Sequence, residues 1–173
     1  MLGRPEVAAP QLLGAHLETR IDRKRVVVRL VELEAYGGSD DPASHAFRAR
    51  TSRNGPMFDD AGTVYVYRSY GIHWCANIVT GPPGSPSAVL LRGGEVLEGI
   101  NIVEARRGRI DHLTDGPGKL CQALGIDGSM SGTLLNNGPI RLRLSPPPSD
   151  GYDVSPRVGV TKAVDRPWRF QER

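Results

Sequence analysis

Residues 29–36, which read RLVELEAY, are the stretch that decides the fold of this 173-residue chain. Together with Val26, Val27 and Val28 they place apolar side chains at odd and at even positions. A segment that is apolar on both faces predicts a central β-strand that is buried on both sides. The segment nevertheless carries Glu32 and Glu34 near its end, and glutamate is rarely buried without a partner.

Two interpretations of these glutamates follow from the pattern alone. They could be solvated side chains where a strand reaches the surface. Alternatively, a carboxylate at the end of a buried strand costs folding free energy, and positions with such a cost are often catalytic. The remaining sequence favours the second interpretation.

The composition indicates a globular protein of one domain, residues 1–173, with 39% apolar and 24% charged residues. The net charge of +3 favours a polyanionic partner only weakly. Cys75 and Cys121 have no CxxC spacing, which predicts reduced packing residues in a cytoplasmic protein. We expect neither a membrane span nor a signal peptide from the sequence.

Several elements are predicted around the central strand, and together they define an α+β fold. A strand over His16–Ile21 should pair with the central strand as an antiparallel hairpin. The basic loop at 37–54 should contain one helical turn over residues 43–47. The remaining predictions are a helix at 10–13, a strand at 88–91 ending in Arg92, a helical face with Val96, Ile100 and Val103, a Pro-rich loop at 145–150 and a last strand at 157–161.

The second landmark is residues 63–79, TVYVYRSYGIHWCANIV, which alternate in polarity on both sides of Tyr70. This pattern predicts a protruding β-hairpin with Tyr70 at its tip. A tyrosine is unusual in a turn, and its ring could either protrude or fold back onto the core. The predicted fold is therefore a curved antiparallel β-sheet with a protruding β-hairpin and a few flanking helices.

A glycine-rich segment at 116–118 opens a predicted helix and is followed by Lys119. Free N–H groups at such a helix start, beside a lysine, suit a phosphate, although a plain turn before a helix explains the same residues. Other site motifs are missing from the sequence. The four histidines lack metal-ligand spacing, and there is no GxSxG, Walker or Rossmann motif.

Several blocks of this sequence resemble the alkyladenine (3-methyladenine) DNA glycosylase family, in the same order along almost the whole chain. They are VELEAY at 31–36, DPASHAFRARTSRN at 41–54, GTVYVYRSYGIHWCANIV at 62–79, AVLLR at 88–92, DGPGKLCQALGID at 115–127, RVGV at 157–160 and PWRF at 167–170. The departures are small: Ser52 stands for a usual proline, His73 and Trp74 vary, and Gly93 and Gly94 replace a bulkier pair.

The resemblance implies a glycosylase that hydrolyses the N-glycosidic bond of a purine flipped out of duplex DNA. Its substrates would be alkylated or deaminated purines of the 3-methyladenine, 7-methylguanine, hypoxanthine and ethenoadenine class. Glu34 is expected to activate the attacking water, with Arg92 and the Val158 carbonyl as its other ligands. No lyase step is expected, because Lys24, Lys119 and Lys162 lie outside the site blocks.

The resemblance also assigns residues to the base and to the DNA. Tyr36 and His45 would sandwich the base, Tyr67 would close its edge, the backbone of Ala43 and His45 would read it, and Asn77 would disfavour normal guanine. The expected DNA contacts are Tyr70 as the wedge, Arg53, Met57, Gly118 and Lys119. We expect no cofactor, no metal and no obligate protein partner, and a monomer in the cytoplasm, beside the nucleoid if bacterial.

Two other functions remain open at this stage. The same sheet and basic loops could form a non-catalytic nucleic-acid-binding module, for which Glu34 would be a liability. A metal-dependent hydrolase could use His45, Asp40 and Asp41, although their spacing is unlike that of known metal sites.

Overall fold

The computed structural model describes residues 3–146 and 148–173, which form an α+β fold around one antiparallel sheet. The strands in these residues are β1 His16–Ile21, β2 Lys24–Tyr36, β3 Val64–Ser69, β4 His73–Val79, β5 Ala88–Glu98, β6 Ile140–Arg143, β7 Tyr152–Ser155 and β8 Arg169–Glu172. The α-helices are α1 Pro5–Leu12, α2 Ile100–Arg107 and α3 Pro117–Leu124. Short 3₁₀ helices lie at Gly55–Phe58 and Gly128–Met130.

Strand β2 is the centre of the sheet, as its sequence predicts. The main path of the sheet is β3-β4-β5-β2-β1-β6, and β8 pairs with both β2 and β7. One edge of β2 therefore pairs with β1 in its first half and with β8 at residues 32–34, while the other edge pairs with β5. Its Val26, Val28, Leu30 and Leu33 are fully buried.

The helices cover the core of the sheet and contribute their apolar faces. Helix α1 packs against β2, and α3 packs against β4 and β5. Leu120, Cys121 and Leu124 are buried, which confirms the apolar face predicted for α3. No helix in residues 3–146 and 148–173 is long and apolar enough to cross a membrane.

Four predicted elements differ from the structure. Helix α1 spans Pro5–Leu12, so it begins five residues earlier than predicted, because Pro5 rather than Pro10 is the proline that occupies the first helical turn. Pro10 lies inside the helix. Residues 43–47 form turns and not a helical turn. Val96 belongs to β5, which continues to Glu98, and α2 begins only after Gly99, whose φ of 85° breaks the strand.

The predicted last strand at 157–161 is wrong. These residues form a turn in which Gly159 has a φ of 73°, and the Arg157 side chain is buried. The C-terminal pairing is instead made by β7 and β8, where Phe170 is buried, and Trp168, just before β8, packs against the core. The predicted Pro-rich loop at 145–150 includes Pro147, which lies outside the described residues.

Candidate active site

A cleft of about 630 Å³ opens where the C-terminal end of β2 meets the β3–β4 hairpin. Its lining combines several parts of the chain: β2 and β5, the hairpin, the loop that follows β2, the start of α3 and the turn at 157–162. The cleft residues that the sequence singled out are Glu34, Tyr36, Ala43, His45, Met57, Tyr67, Tyr70, Asn77, Arg92 and Val158.

Glu34 lies at the floor of this cleft with a relative exposure of 0%. Its Oε1 atom accepts a hydrogen bond of 2.7 Å from the backbone N–H of Val158 and lies 3.5 Å from Nε of Arg92. Its Oε2 atom accepts a hydrogen bond of 2.9 Å from the hydroxyl of Tyr36. The surface interpretation of Glu34 is therefore wrong: the carboxylate is buried, and protein donors replace its hydration.

Arg92 is oriented toward Glu34 by the neighbouring Glu32. Its Nε atom donates to Glu32 Oε1 at 2.8 Å, and the same oxygen accepts from Arg169 Nε at 2.6 Å. Although burial opposes its charge, the pKa of Arg92 is raised by Glu34 and Glu32. Burial likewise opposes the charge of Glu32, but Arg92 and Arg169 hold its pKa below the usual range. Both partners thus stay ionised at neutral pH.

Gly93 and Gly94 allow this arrangement by letting β5 approach β2 closely. The register of the β2–β5 pairing is irregular beside Arg92, as in a β-bulge. A Cβ atom on Gly93 would lie 3.2 Å from the Cβ of Glu32, and one on Gly94 would lie 3.1 Å from the carbonyl oxygen of Arg29. The segment is also fastened from the other side, because Thr114 Oγ1 donates to the Gly94 carbonyl at 2.5 Å.

Aromatic rings from the hairpin and from the loop after β2 line one wall of the cleft. His45 and Tyr67 meet edge to face at 4.5 Å between ring centroids, and Tyr67 stacks on Tyr65 at 5.5 Å. Nδ1 of His45 lies 3.0 Å from the Tyr65 hydroxyl. Burial, assisted by the charge of Arg53, lowers the pKa of His45, so its imidazole is neutral at neutral pH.

The tyrosines remain protonated because they are removed from water. Burial raises the pKa of Tyr65 to about 12. Burial and the adjacent Glu34 charge raise the pKa of Tyr36 well above its usual value, and burial does the same for Tyr67. The Tyr36 hydroxyl is thus a permanent hydrogen-bond donor to Glu34.

Asn77 and Tyr70 occupy opposite ends of the hairpin. Asn77 has a relative exposure of 5%, and its Nδ2 atom donates to the carbonyl of its cross-strand neighbour Tyr65 at 3.0 Å. Tyr70, at the tip, has a relative exposure of 90% and a φ of 50°. Of the two interpretations of Tyr70, the one that folds its ring back onto the core is wrong.

The other residues predicted to contact DNA lie in separate parts of the structure. Met57 lines the cleft but has a relative exposure of 2% and packs with Ala46, Tyr65, Val79 and Ala88, so it anchors the loop and offers DNA almost no surface. Arg53 lies over the Tyr67 ring at 5.5 Å. Lys119 pairs with Asp115 at 2.9 Å, and Gly118 packs so closely that an added Cβ would lie 2.8 Å from the Cβ of His73.

The structure adds residues that the sequence analysis missed. Tyr65 shares a face of β3 with Tyr67, and this spacing of two could have revealed it. Lys162, which the sequence analysis placed outside the site, lines the cleft, and so do Cys75 and Thr161. Asp41 and Arg157 form a fully buried ion pair behind the cleft, with Arg157 Nη1 2.6 Å from Asp41 Oδ2.

The proposed metal ligands do not come together as a site. Groups of three or more histidine, cysteine, aspartate or glutamate side chains with metal-binding geometry are missing among the described residues. Asp41 is instead committed to Arg157, to the backbone N–H of Gly37 at 3.0 Å and to that of Ala43 at 3.2 Å.

The chain matches the family model described as "Methylpurine-DNA glycosylase (MPG)" over residues 2–173. A protein of Nocardia farcinica is 50% identical over 177 residues, covering 96% of this chain and 82% of its own length. One of Agrobacterium fabrum is 51% identical (94% and 80% covered), and one of Methanoculleus marisnigri is 46% identical (94% and 86% covered). All three are named "Putative 3-methyladenine DNA glycosylase".

Proposed function

This chain belongs to the methylpurine-DNA glycosylase family, and we propose that it removes alkylated and deaminated purines from DNA by base flipping and attack of a water activated by Glu34. As a member of the family it is a DNA glycosylase, a hydrolase of the N-glycosidic bond with DNA as its substrate. The observation that carries the proposed mechanism is the buried Glu34 carboxylate at the floor of an aromatic cleft.

In the proposed reaction, water adds to C1′ of the deoxyribose while the C1′–N bond to the purine breaks. Glu34 accepts a proton from the water while the oxygen of that water bonds to C1′. A purine alkylated on a ring nitrogen is cationic, and it leaves as a neutral base when it takes the electron pair of the broken bond. A neutral lesion such as hypoxanthine needs a proton from solvent as it leaves. The products are a free purine and an abasic site.

The groups around Glu34 support this role. Arg92 and the Val158 N–H stabilise its negative charge and fix one oxygen, while Tyr36 fixes the other. We infer that Arg92 and the backbone of the turn that contains Val158 also hold the attacking water. The amide of Val158 is the group that meets Glu34 here, and its carbonyl remains the proposed second ligand of the water.

The aromatic wall suits a flipped purine. A base inserted between Tyr36 and His45, with Tyr67 at its edge, gains about 1–3 kcal/mol from stacking. Because the His45 imidazole is neutral, it does not repel a cationic alkylpurine, and π faces attract such a cation. The backbone of Ala43 and His45 would then read the edge of the base, and Asn77 would disfavour the exocyclic amine of guanine.

At the hairpin tip, where the cleft meets solvent, Tyr70 is the proposed wedge that replaces the extruded nucleotide in the duplex. Arg53, Gly118 and Lys119 are the proposed phosphate contacts. We expect a monomer that needs no cofactor or metal and leaves no covalent lyase intermediate. Lys162 does line the cleft, which makes borohydride trapping of a Schiff base a useful negative control. With DNA as substrate, the enzyme would act at the nucleoid of a bacterial cell.

The experiment that tests the function uses duplexes with a single 3-methyladenine analogue, 7-methylguanine, hypoxanthine or ethenoadenine. The expected result is formation of abasic sites with release of the free purine, both unaffected by EDTA. Stimulation by added zinc would instead support a metal-dependent hydrolase. Binding of lesion DNA without release of any of these bases would support the non-catalytic module, although a phosphate-binding surface gains nothing from the buried Glu34 carboxylate.

A further inference from the structure

The ion pair between Asp41 and Arg157 lies directly behind the cleft. Both side chains have a relative exposure of 0%. Nη1 of Arg157 donates to Asp41 Oδ2 at 2.6 Å and Nη2 donates to Oδ1 at 2.9 Å, so the contact is bidentate. Bidentate guanidinium–carboxylate pairs are among the most geometrically defined polar contacts in proteins.

Stability alone does not account well for this pair. Removing two charges from water is costly, and well-packed apolar residues are often as stable as a buried ion pair. Nε of Arg157 is in addition buried without a hydrogen-bond partner among the described residues. An arrangement that costs folding free energy in this way is expected where it fixes the geometry of a functional site.

Arg157 supports the ring of Tyr36. Its guanidinium carbon lies 4.7 Å from the Tyr36 ring centroid and 5.2 Å from that of Trp168, while Nη1 also donates to the Ala35 carbonyl at 3.0 Å. The planar guanidinium thus contacts two aromatic rings and the backbone next to Tyr36. These contacts restrict the tilt of the ring on which the purine is proposed to stack.

Arg157 also fixes the turn that covers Glu34. Its Nη2 atom donates to the carbonyl of Ala163 at 3.5 Å, which joins the two ends of residues 157–163. The next residue, Val158, donates its backbone N–H to Glu34 Oε1. A shift of the Arg157 side chain would therefore displace the group that orients the carboxylate.

Asp41 extends the connection to the loop that reads the base. Its Oδ2 atom accepts from the backbone N–H of Gly37 at 3.0 Å, and Oδ1 accepts from that of Ala43 at 3.2 Å. Arg157 and the two backbone donors hold the pKa of Asp41 below its usual range, although burial opposes this. The loop is thus tied at both ends of residues 37–43 to the same carboxylate.

From these contacts we infer that Asp41 and Arg157 are positioning residues. They hold three groups in one fixed geometry: the ring of Tyr36, the Val158 N–H that donates to Glu34, and the loop at 37–43 that is proposed to read the base. The inference rests on the proposed function, since it assigns a purpose to positions that the base and the water would occupy. Neither residue touches the substrate, so their effect on the reaction passes through Tyr36, Val158 and Ala43. A misplacement of about 1 Å at such a distance can slow a reaction by about 100-fold.

The test compares Arg157→Lys with Arg166→Lys. Lysine keeps the positive charge beside Asp41 but loses the bidentate contact and the planar surface. Arg166 is a matched control, because its guanidinium also lies over Trp168, at 4.6 Å, and donates to a loop carbonyl, that of Asp40, at 2.6 Å. It makes these contacts at the surface and has no contact with Tyr36 among the described aromatic pairs.

Three readouts are taken on folded protein, verified by near-ultraviolet circular dichroism. They are the affinity for ethenoadenine duplex, the fluorescence of the bound ethenoadenine, which reports its stacking, and the single-turnover rate of base release. Each variant is also combined with Tyr36→Leu, which removes the ring. For Arg157→Lys we expect about 10–100-fold slower release, an altered fluorescence and an affinity within about threefold of the wild type. Arg166→Lys should stay within about twofold of the wild type in all three.

If the pair acts through Tyr36, the loss caused by Arg157→Lys must shrink in the Tyr36→Leu background. The inference is overturned if the rate losses of Arg157→Lys and Tyr36→Leu simply multiply in the double variant. It is also overturned if Arg157→Lys alone releases the base at the wild-type rate. Should Arg157→Lys not fold, the isosteric Asp41→Asn takes its place, and failure of both to fold would mean that the pair is merely structural. Failure of the wild type itself to release a base would instead contradict the proposed function.

Discussion

The hydroxyl of Tyr36 donates a hydrogen bond of 2.9 Å to Oε2 of Glu34, two residues earlier on the same strand. Successive odd or even residues of a strand share a face, so the β2 backbone itself sets this contact. The proposed stacking ring and the proposed base catalyst are therefore one unit. The ring cannot tilt without changing the environment of the carboxylate.

Replacement Tyr36→Phe separates the two functions of this residue. The ring remains, so binding of lesion DNA should stay close to the wild type, while Glu34 loses one donor. A hydrogen bond to a charged group contributes about 1.5–3 kcal/mol, so single-turnover release should fall by about tenfold or more. An unchanged release rate would mean that the hydroxyl is irrelevant to catalysis. Tyr152→Phe, outside the cleft on β7, controls for the chemical change.

Replacement Glu34→Gln should abolish chemistry and retain the fold. Glutamine has nearly the same shape, but it cannot accept a proton from water, so base release should fall by several orders of magnitude. Binding of lesion DNA should persist. Single-turnover release is the measurement, and Glu95→Gln, an exposed glutamate of β5 paired with Arg29, is the control. Release by Glu34→Gln at close to the wild-type rate would sink the assignment of Glu34.

Much of the fold could be predicted from the chain because the signals are local. The alternation that defines β1, the β3–β4 hairpin and the apolar face of α3 lies within single segments. The turn at 157–162 could not be predicted, because RVGVT has the alternation of a strand and becomes a turn through a contact with Asp41, which is 116 residues away in the sequence.

The site shows the same division. Tyr65 and Tyr67 are two positions apart on one strand, so their common face could be predicted from the sequence. The contact of the Val158 amide with Glu34 spans 124 residues, and the position of Lys162 at the cleft depends on the same turn. The irregular β2–β5 register beside Gly93 depends on how two strands pair, and the sequence of either strand alone does not specify it.

Salt should weaken DNA binding in proportion to the phosphates contacted. Arg48, Arg50, Arg53 and Lys119 are the candidates, and for about four contacts log K should fall with log salt at a slope of about −3.6. Arg50 and Lys119 have carboxylate partners, Asp59 and Asp115, which they would exchange for phosphates at little cost because such surface pairs are weak. Arg53→Ala should flatten the slope by about 0.9, whereas Arg141→Ala on β6 should leave it unchanged. A slope near zero for the wild type would exclude DNA as the partner.

Stability should depend on pH through Asp41. Its folded-state pKa is lowered, although burial opposes this, because Arg157 and two backbone N–H groups stabilise its charge. The contribution is therefore fully present above the unfolded pKa of about 3.9 and is lost as the pH falls through the lower folded value. Urea denaturation between pH 3 and pH 7 should show a smaller loss of unfolding free energy on acidification for Asp41→Asn than for the wild type. Parallel curves for the two proteins would contradict the assignment.

Replacement Tyr70→Ala distinguishes a base-flipping enzyme from a protein that only binds a groove. The ring has a relative exposure of 90%, so truncation should change the free energy of unfolding by no more than about 0.5 kcal/mol. Ile110, in the segment after α2, is another large exposed side chain, with a relative exposure of 81%, and it provides the control Ile110→Ala. Extruding a nucleotide costs a few kcal/mol of stacking, and a ring inserted in its place offsets part of that cost. Tyr70→Ala should therefore bind a lesion in matched duplex DNA more weakly and excise it more slowly.

The deficit of Tyr70→Ala should shrink for a lesion opposite a mismatch or in single-stranded DNA, because less stacking has to be broken there. Equal deficits on all three substrates would show that Tyr70 makes a general DNA contact and does not act as a wedge.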